Sequence, residues 1–511
     1  VPRLALEMHR RRPDLLRAHP DPLGADRLGL ALWYVTYGRR EYSLPPEVVL
    51  PVARTLPWRQ RAWARAWWER QRWEARRRAG RAPERAAEPA AGTTGTTGIA
   101  GAAREATAAA PERSPLDGPL GLSVIGWATA PTGVGEACRG SLAALDRAGI
   151  PRALWVLDGR ADGAPGAASE TERQGLPYDP LLFHVNADMM ETVLGRIPSV
   201  LHLGRHRIGY WFWELAHFPL GLAGAFRCVD EVWAPTRFCQ EAFRALSPVE
   251  VRWVPPCVVP PLSLQAPGGG AAPPIPQTSR EELGAGPDDY LFCFAFDALS
   301  VPERKNPAGL LAAFARVARG AGRPVRLLLK VNHAEAEPEY LAELHRRAAG
   351  LPVTFLTCTL SRQALDGMLA ACDAYVSLHR SEGLGLPLIE AMYLGKPVIA
   401  TGYGGVTDFL DDSTGFVVRH RPAALATPQG PYPAGAVWAE PDVEHAAALM
   451  RALADAPESA AARVASAGRR VRELYAPEAA GERLRRELAR IASARRDRHP
   501  QGPRRSREDA A

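Results

Sequence analysis

Residues 381–398 read Ser-Glu-Gly-Leu-Gly-Leu-Pro-Leu-Ile-Glu-Ala-Met-Tyr-Leu-Gly-Lys-Pro-Val. Glu382 and Glu390 stand eight positions apart, on either side of a glycine-rich turn and a helix start. Gly383 and Gly385 carry no Cβ, so the backbone can come close to a ligand. Pro387 suits the first helical turn, where a missing N–H costs nothing. Gly395 falls where a helix ends, and Pro397 stops its continuation. Unpaired N–H groups and the dipole make a helix start a ready anion site. The stretch therefore predicts a phosphate site flanked by hydroxyl-rich groups, with one carboxylate on each side.

Around this stretch the chain alternates apolar runs with helical patterns. Leu122–Ile125, Ala153–Val156, Leu181–Val185, Leu291–Phe296, Arg326–Val331, Tyr375–Leu378 and Val398–Ala400 read as strands. Ala308–Arg319 and Glu339–Ala348 read as helices. Such repetition implies parallel sheets with helices on both faces. The Pro- and Gly-rich stretch 260–276 divides the array. Ligands of such folds bind beyond the carboxyl ends of the strands, where the motifs fall.

The stretch 381–398 resembles the Glu-x7-Glu motif of family 4 retaining glycosyltransferases, also grouped as group 1. Ser123–Leu145 is similar to the family's first strand, glycine loop and helix. Ile208–Pro219 and Val229–Phe238 resemble its first-domain signatures, and Phe294–Phe314 the start of its second domain. The resemblance covers roughly residues 120–490. It implies an α/β fold of two Rossmann-like doubly wound domains facing a cleft, the GT-B fold. Three positions depart from the family. Leu384 stands where many relatives have Phe, Phe296-Asp297 where many have Gly-Arg, and Pro255-Pro256-Cys257 where Pro-His-Gly is frequent. The second departure leaves Arg304 and Lys305 as the basic groups near the donor phosphates.

The resemblance implies transfer of a sugar, with mannose from GDP-mannose a candidate, from a nucleotide diphosphate to an acceptor hydroxyl. The leaving group is anionic, so fixed positive charge and N–H donors are needed. By the resemblance, Lys305 with Arg304 binds the diphosphate, and Glu382 holds sugar hydroxyls and steadies positive charge at the anomeric carbon. Glu390 accepts from the ribose hydroxyls. The N–H groups of Gly383, Leu384, Gly385 and Leu386 meet phosphate or sugar. Gly133 and Gly135 form a loop facing the cleft; by themselves they are a tight turn, and Cys138 occupies the third glycine position of a dinucleotide fingerprint. Arg380 adds charge or forms a surface salt bridge.

Three further residues are acceptor-side candidates. Glu214 follows Trp211-Phe212-Trp213, and an acid among aromatics needs a partner. It meets acceptor hydroxyls or caps a helix. His184 and Asn186 end an apolar strand and face either the cleft or the core. No cofactor and no metal is expected: the region lacks an Asp-x-Asp pair, and Asp411-Asp412 reads as a turn.

The remaining sequence bounds the setting. A length of 511 residues accommodates two doubly wound domains with material to spare. The seven cysteines are scattered without a metal or disulfide pattern, as in a reducing cytoplasm. No run of about 18 apolar residues predicts a spanning helix. No signal peptide is visible, and the chain opens on Val, so an alternative start or a missing N-terminus is expected. The net charge of +7 is concentrated in terminal arginines, and nucleic acid is not an expected partner. The predicted organisation is an N-terminal helical extension over 1–81, a disordered linker over 82–115 and an acceptor-side domain over 116–262. An interdomain linker over 263–280, a nucleotide-sugar domain over 281–491 and a disordered basic tail over 492–511 follow.

Residues 54–81 hold ten arginines and five tryptophans. Peripheral membrane contact there is one reading. The tryptophans scatter around a helix axis instead of forming one stripe, which favours a solvated basic helix. The expected partners are a nucleotide sugar and a glycan or lipid-linked glycan, with the protein cytoplasmic or at the inner face of a bacterial membrane. Two other functions fit the same fold: an inactive nucleotide-sugar-binding scaffold of a polysaccharide synthesis complex, and a sugar-nucleotide epimerase. No acid/base pair for the latter is identified.

Overall fold

The run Tyr290–Asp297 (YLFCFAFD) is buried almost throughout, the pattern of a parallel strand covered on both faces. The computed structural model describes residues 120–157, 175–198, 201–261 and 278–498. The expected extension 1–81, the linker 82–115 and nearly all of the linker 263–280 lie outside these residues. Both lobes described below belong to one compact unit.

The first lobe runs β1 (Leu122–Gly126), α1 (Gly133–Arg147), β2 (Arg152–Val156), β3 (Leu181–His184), α2 (Ala187–Leu194), β4 (Arg207–Tyr210), β5 (Glu231–Ala234), α3 (Arg237–Arg244) and β6 (Glu250–Trp253). Its six strands are parallel in the order β2-β1-β3-β4-β5-β6. The second lobe begins with β7 (Tyr290–Asp297), α4 (Pro302–Lys305), α5 (Pro307–Ala318), β8 (Val325–Asn332), α6 (Pro338–Arg347) and β9 (Val353–Leu356). It continues with α7 (Arg362–Ala371), β10 (Ala374–Ser377), α8 (Leu386–Tyr393), β11 (Val398–Thr401) and β12 (Phe416–Val418). This sheet is also parallel, in the order β12-β11-β10-β7-β8-β9. The order reverses between β1 and β3 in the first sheet and between β7 and β10 in the second. Such switch points open a crevice at the carboxyl ends of the two diverging strands. The glycine loop follows β1, Arg304 and Lys305 follow β7, and Glu382 follows β10. The motif residues thus occupy the two positions where topology leaves room for a ligand.

A β-hairpin not anticipated from the sequence, β13 (His420–Ala424) paired with β14 (Val437–Pro441), then leaves the second lobe. Helices α9 (Val443–Asp455), α10 (Ala461–Tyr475) and α11 (Pro477–Arg498) complete the described residues. The expected tail from 492 begins instead as helix, because α11 continues to Arg498. Leu484, Leu488 and Ile491 recur at helical spacing and are buried with Leu122, Val124 and Ile208 of the first lobe. The described part of the chain therefore ends on the lobe in which it begins. Leu488→Ala is expected to cost about 2–5 kcal/mol, because the side chain is fully buried. Urea unfolding monitored by circular dichroism measures this.

Candidate active site

Arg304 and Lys305 reach the site through an unusual turn. Asp297, at the end of β7, accepts from the Leu299 N–H at 2.9 Å and partners His333 Nδ1 at 3.0 Å, which gives this residue a structural role. Val301 (φ 53°) and Asn306 (φ 55°) both lie in the left-handed region and bracket α4. A β-branched residue there costs on the order of 1–3 kcal/mol, and such strain gathers at functional sites. Asn306 accepts from the Gly309 N–H at 3.0 Å, capping α5, and donates to the Leu378 carbonyl at 2.8 Å. This bond fixes α4 against the segment that leaves β10.

Arg304 is 2% exposed. It donates to the Ser381 carbonyl at 2.8 Å, to Ser300 Oγ at 2.7 Å and to Glu382 Oε2 at 3.3 Å. Lys305 Nζ donates to Glu382 Oε1 at 2.5 Å. Burial alone would raise the Glu382 carboxyl, but the charges of Lys305 and Arg304 outweigh it and hold the group at about 2. Burial lowers the Lys305 ammonium even though Glu382 opposes the shift. The carboxylate is thus held ionised, while the lysine is held at a net desolvation cost.

The depressed Glu382 value carries a stability consequence. Its contribution is complete above the ordinary carboxyl value of 4.5 and is lost as pH falls from there toward 2. A shift of this size corresponds to on the order of 3 kcal/mol. Glu382→Gln is expected to flatten the stability–pH curve between about pH 5 and 3. Urea midpoints of both proteins across that window measure the difference.

Gly385, with φ 85°, turns the chain into α8, and Pro387 lies in the first turn as the sequence implies. Among the described residues, none of the N–H groups of Gly383, Leu384, Gly385 and Leu386 donates to a protein acceptor. Free donors at a helix start favour an anion. Leu384 is buried in the second-lobe core, whereas Leu386 is half-buried. Glu390 is 4% exposed and accepts from Nη1 of Arg362, whose Nε and Nη2 donate to Asp366. Burial raises the Glu390 carboxyl against the pull of Arg362. The arginine partner lies 28 residues upstream and was not expected.

The first lobe closes directly onto this segment. A Cβ built on Gly133, the first residue of α1, would lie 3.8 Å from Leu386 Cδ1, so the starts of α1 and α8 are neighbours. Gly135 donates to the Thr132 hydroxyl at 3.2 Å, and a Cβ on it would strike the Ala130 carbonyl at 2.4 Å. It therefore sits in the capped first turn of α1, and Gly133 is the exposed one. Gly383 rests on the Trp213 backbone, where a Cβ would come within 2.8 Å of its carbonyl oxygen. Thr236 donates to the Gly383 carbonyl at 3.0 Å. Ser381 Oγ donates to the Glu214 carbonyl.

The other expected site residues divide. Glu214 is half-buried, and its charge acts on both Arg304 and Lys305, which brings it into the constellation. Asn186 accepts from the Phe212 N–H at 2.9 Å and thereby ties the β3 loop to the aromatic segment. His184 is fully buried, bonds Ser141 Oγ at 2.9 Å and packs on Tyr210, so its cleft-facing reading is corrected to a core residue. The reason is position: β3 lies between β1 and β4, and α1 covers its end. Burial lowers its imidazole to about 3, which keeps it neutral. For Arg380 the salt-bridge alternative is found, and the donor-charge alternative is corrected. It is committed to Glu440 at 2.7 and 3.1 Å and to the Glu303 carbonyl at 2.7 Å, and it serves as a brace. Two residues near Glu382 escaped sequence reasoning. His379, fully buried, bonds Ser377 Oγ at 3.0 Å and the Tyr403 carbonyl at 3.1 Å. Tyr432, on the hairpin loop, donates to Glu214 Oε2 at 2.9 Å.

Residues 278–427 match the family described as Glycosyl transferases group 1. Over 159 residues the chain is 31% identical to D-inositol 3-phosphate glycosyltransferase 2 of Catenulispora acidiphila, covering 30% of this chain and 36% of that protein. Over 85 residues it is 31% identical to a GDP-mannose-dependent alpha-(1-6)-phosphatidylinositol dimannoside mannosyltransferase of Mycobacterium tuberculosis, covering 17% and 22%. The chain therefore spans well under half the length of these curated relatives. Anabaena HepE, solved in complex with UDP and glucose, aligns with a TM-score of 0.51 at 17% identity, covering 72% of this chain and 99% of that one. Sucrose-phosphate synthase from Thermosynechococcus elongatus aligns with a TM-score of 0.51 at 16% identity, covering 73% and 100%. These likenesses concern the fold, which is the expected GT-B architecture of two parallel α/β sheets. Fold and family match together support the GT-B group 1 glycosyltransferase superfamily.

Proposed function

We propose that this chain is a retaining glycosyltransferase of family 4 that moves a sugar from a nucleotide diphosphate to an acceptor hydroxyl in polysaccharide or glycoconjugate assembly. The observation that carries the reading is the convergence of Glu382, Lys305 and Arg304 at the second switch point, opposite the first-lobe glycine loop. The diphosphate lies against the free N–H groups at the start of α8, with Lys305 beside it, and α1 points its own start at the same space. Glu390 accepts from the ribose hydroxyls while Arg362 keeps it in place. Glu382 holds the sugar and steadies positive charge at C1. In the transfer, the bond between C1 and the phosphate oxygen breaks and its electron pair stays on the phosphate. The acceptor oxygen bonds to C1 on the same face, and its proton passes to that phosphate oxygen. Mannose is the candidate sugar, in keeping with the donor in the mycobacterial relative's description. A lipid-linked or glycan acceptor at the inner membrane face fits this chemistry. No described helix is long and apolar enough to cross a membrane.

Thermal shift with UDP-, GDP-, ADP- and dTDP-sugars, followed by product analysis, tests this. A bound donor raises the melting point by mass action. Sugar transfer or hydrolysis supports the reading. Binding without turnover supports a scaffold, and a new sugar nucleotide formed from donor alone supports an epimerase.

A further inference from the structure

The hairpin β13–β14 belongs to the second lobe by sequence, and its outer strand is largely exposed, yet its buried side chains pack into the first lobe. Leu425, Tyr432 and Trp438 join the aromatic cluster of Trp211, Trp213 and Phe218. The Tyr432 ring meets Trp213 edge-on, with centroids 5.6 Å apart. The base of the hairpin is braced by the Arg380–Glu440 pair, by Arg380 lying 5.4 Å from the Trp438 ring, and by Ala439 N–H donating to the Arg380 carbonyl at 2.9 Å. The hairpin is thus a strap fixed at both ends, and Tyr432 is 3% exposed.

A buried phenol needs a hydrogen-bond partner. Tyr432 finds it in Glu214 Oε2 at 2.9 Å. The Glu214 carbonyl is held separately by Ser381, the residue before Glu382. Backbone and one carboxylate oxygen are therefore both fixed by the second lobe. The other oxygen, Oε1, has no hydrogen-bond partner among the described residues and is not buried without one.

We infer that Tyr432 is a positioning residue: its hydroxyl aims Glu214 so that the free Oε1 accepts the hydrogen bond of the acceptor hydroxyl beside the Glu382–Lys305 pair. This rests on the glycosyltransferase reading and adds a role for the strap. Orientation of this kind lowers a barrier without changing donor binding, since the donor contacts lie on other residues.

The test uses the full chain with whichever of UDP-glucose, GDP-mannose, ADP-glucose and dTDP-glucose it turns over, with water as acceptor. Tyr432→Phe keeps the ring and its packing. It is expected to lower kcat roughly 10- to 100-fold, with the donor KM and the melting temperature unchanged. Glu214→Gln is expected to fall by a similar factor, and the double variant no further than the worse single one, since the two act as one unit. Wild-type kcat in Tyr432→Phe, or losses that multiply in the double variant, overturns the inference. A kcat loss that merely follows a lowered melting point also overturns it. Lys305→Ala separates the two claims: if it is inactive while Tyr432→Phe is fully active, only the strap inference fails. A wild type that turns over none of the four donors counts against both.

Discussion

Lys305→Ala is expected to lower sugar-nucleotide turnover roughly 10²- to 10³-fold, the usual cost of removing one preorganised donor to a developing anion. The fold should scarcely notice. Burial depresses the Lys305 ammonium despite its 2.5 Å contact with Glu382, so holding the lysine there is a cost to the native state. Glu382 retains Arg304 when the lysine is gone. The stability change should therefore stay below about 1.5 kcal/mol, smaller than for a buried pair stripped of its only partner. Rates at saturating donor, set beside urea midpoints for the same two proteins, check both halves. An active Lys305→Ala protein would remove the lysine from the chemistry.

Arg304→Ala is expected to do the opposite, destabilising by about 3–5 kcal/mol. The guanidinium is 2% exposed and satisfies the Ser381 carbonyl, Ser300 Oγ and one Glu382 oxygen at once. Its loss leaves those acceptors unpaired and opens a cavity beside an ionised carboxylate. Arg304→Lys should recover little, since a point charge cannot reproduce the planar fork. On the proposed function, adjacent basic residues on one short helix thus divide the work: Arg304 builds the site, and Lys305 acts in it. Denaturant unfolding of the three proteins measures this, and an Arg304→Ala midpoint equal to wild type contradicts it.

Much of this arrangement was legible in the chain. The glycine–proline punctuation of 383–397 located α8, and long apolar runs such as Leu291–Phe296 located the central strands of the second sheet, whereas the short interior strands β4 and β5 of the first were not read as strands. What escaped depended on contacts distant in sequence. β6, β9 and β12 lie at or near sheet edges, where runs are short and half-exposed, so their apolar signal is weak. The hairpin strand His420–Ala424 carries Pro422 and is largely exposed, which reads as loop from sequence. It matters only because its loop places Tyr432 218 residues from its partner Glu214. His184 shows the converse. A polar residue at a strand end looks like a ligand, and only the covering helix α1 reveals it as core. The arginine on Glu390 was hidden likewise, because nothing local to α7 marks Arg362 as its mate.

The central claim is that one crevice holds the diphosphate between the start of α8 and Lys305, with the ribose at Glu390. A crystal structure of the full chain with the nucleoside diphosphate of its donor tests this most directly. The account predicts a phosphate within hydrogen-bond reach of the N–H groups at 383–386 and of Lys305 Nζ, and ribose hydroxyls on Glu390. Nucleotide bound elsewhere, with Lys305 and Glu390 both untouched, would contradict it.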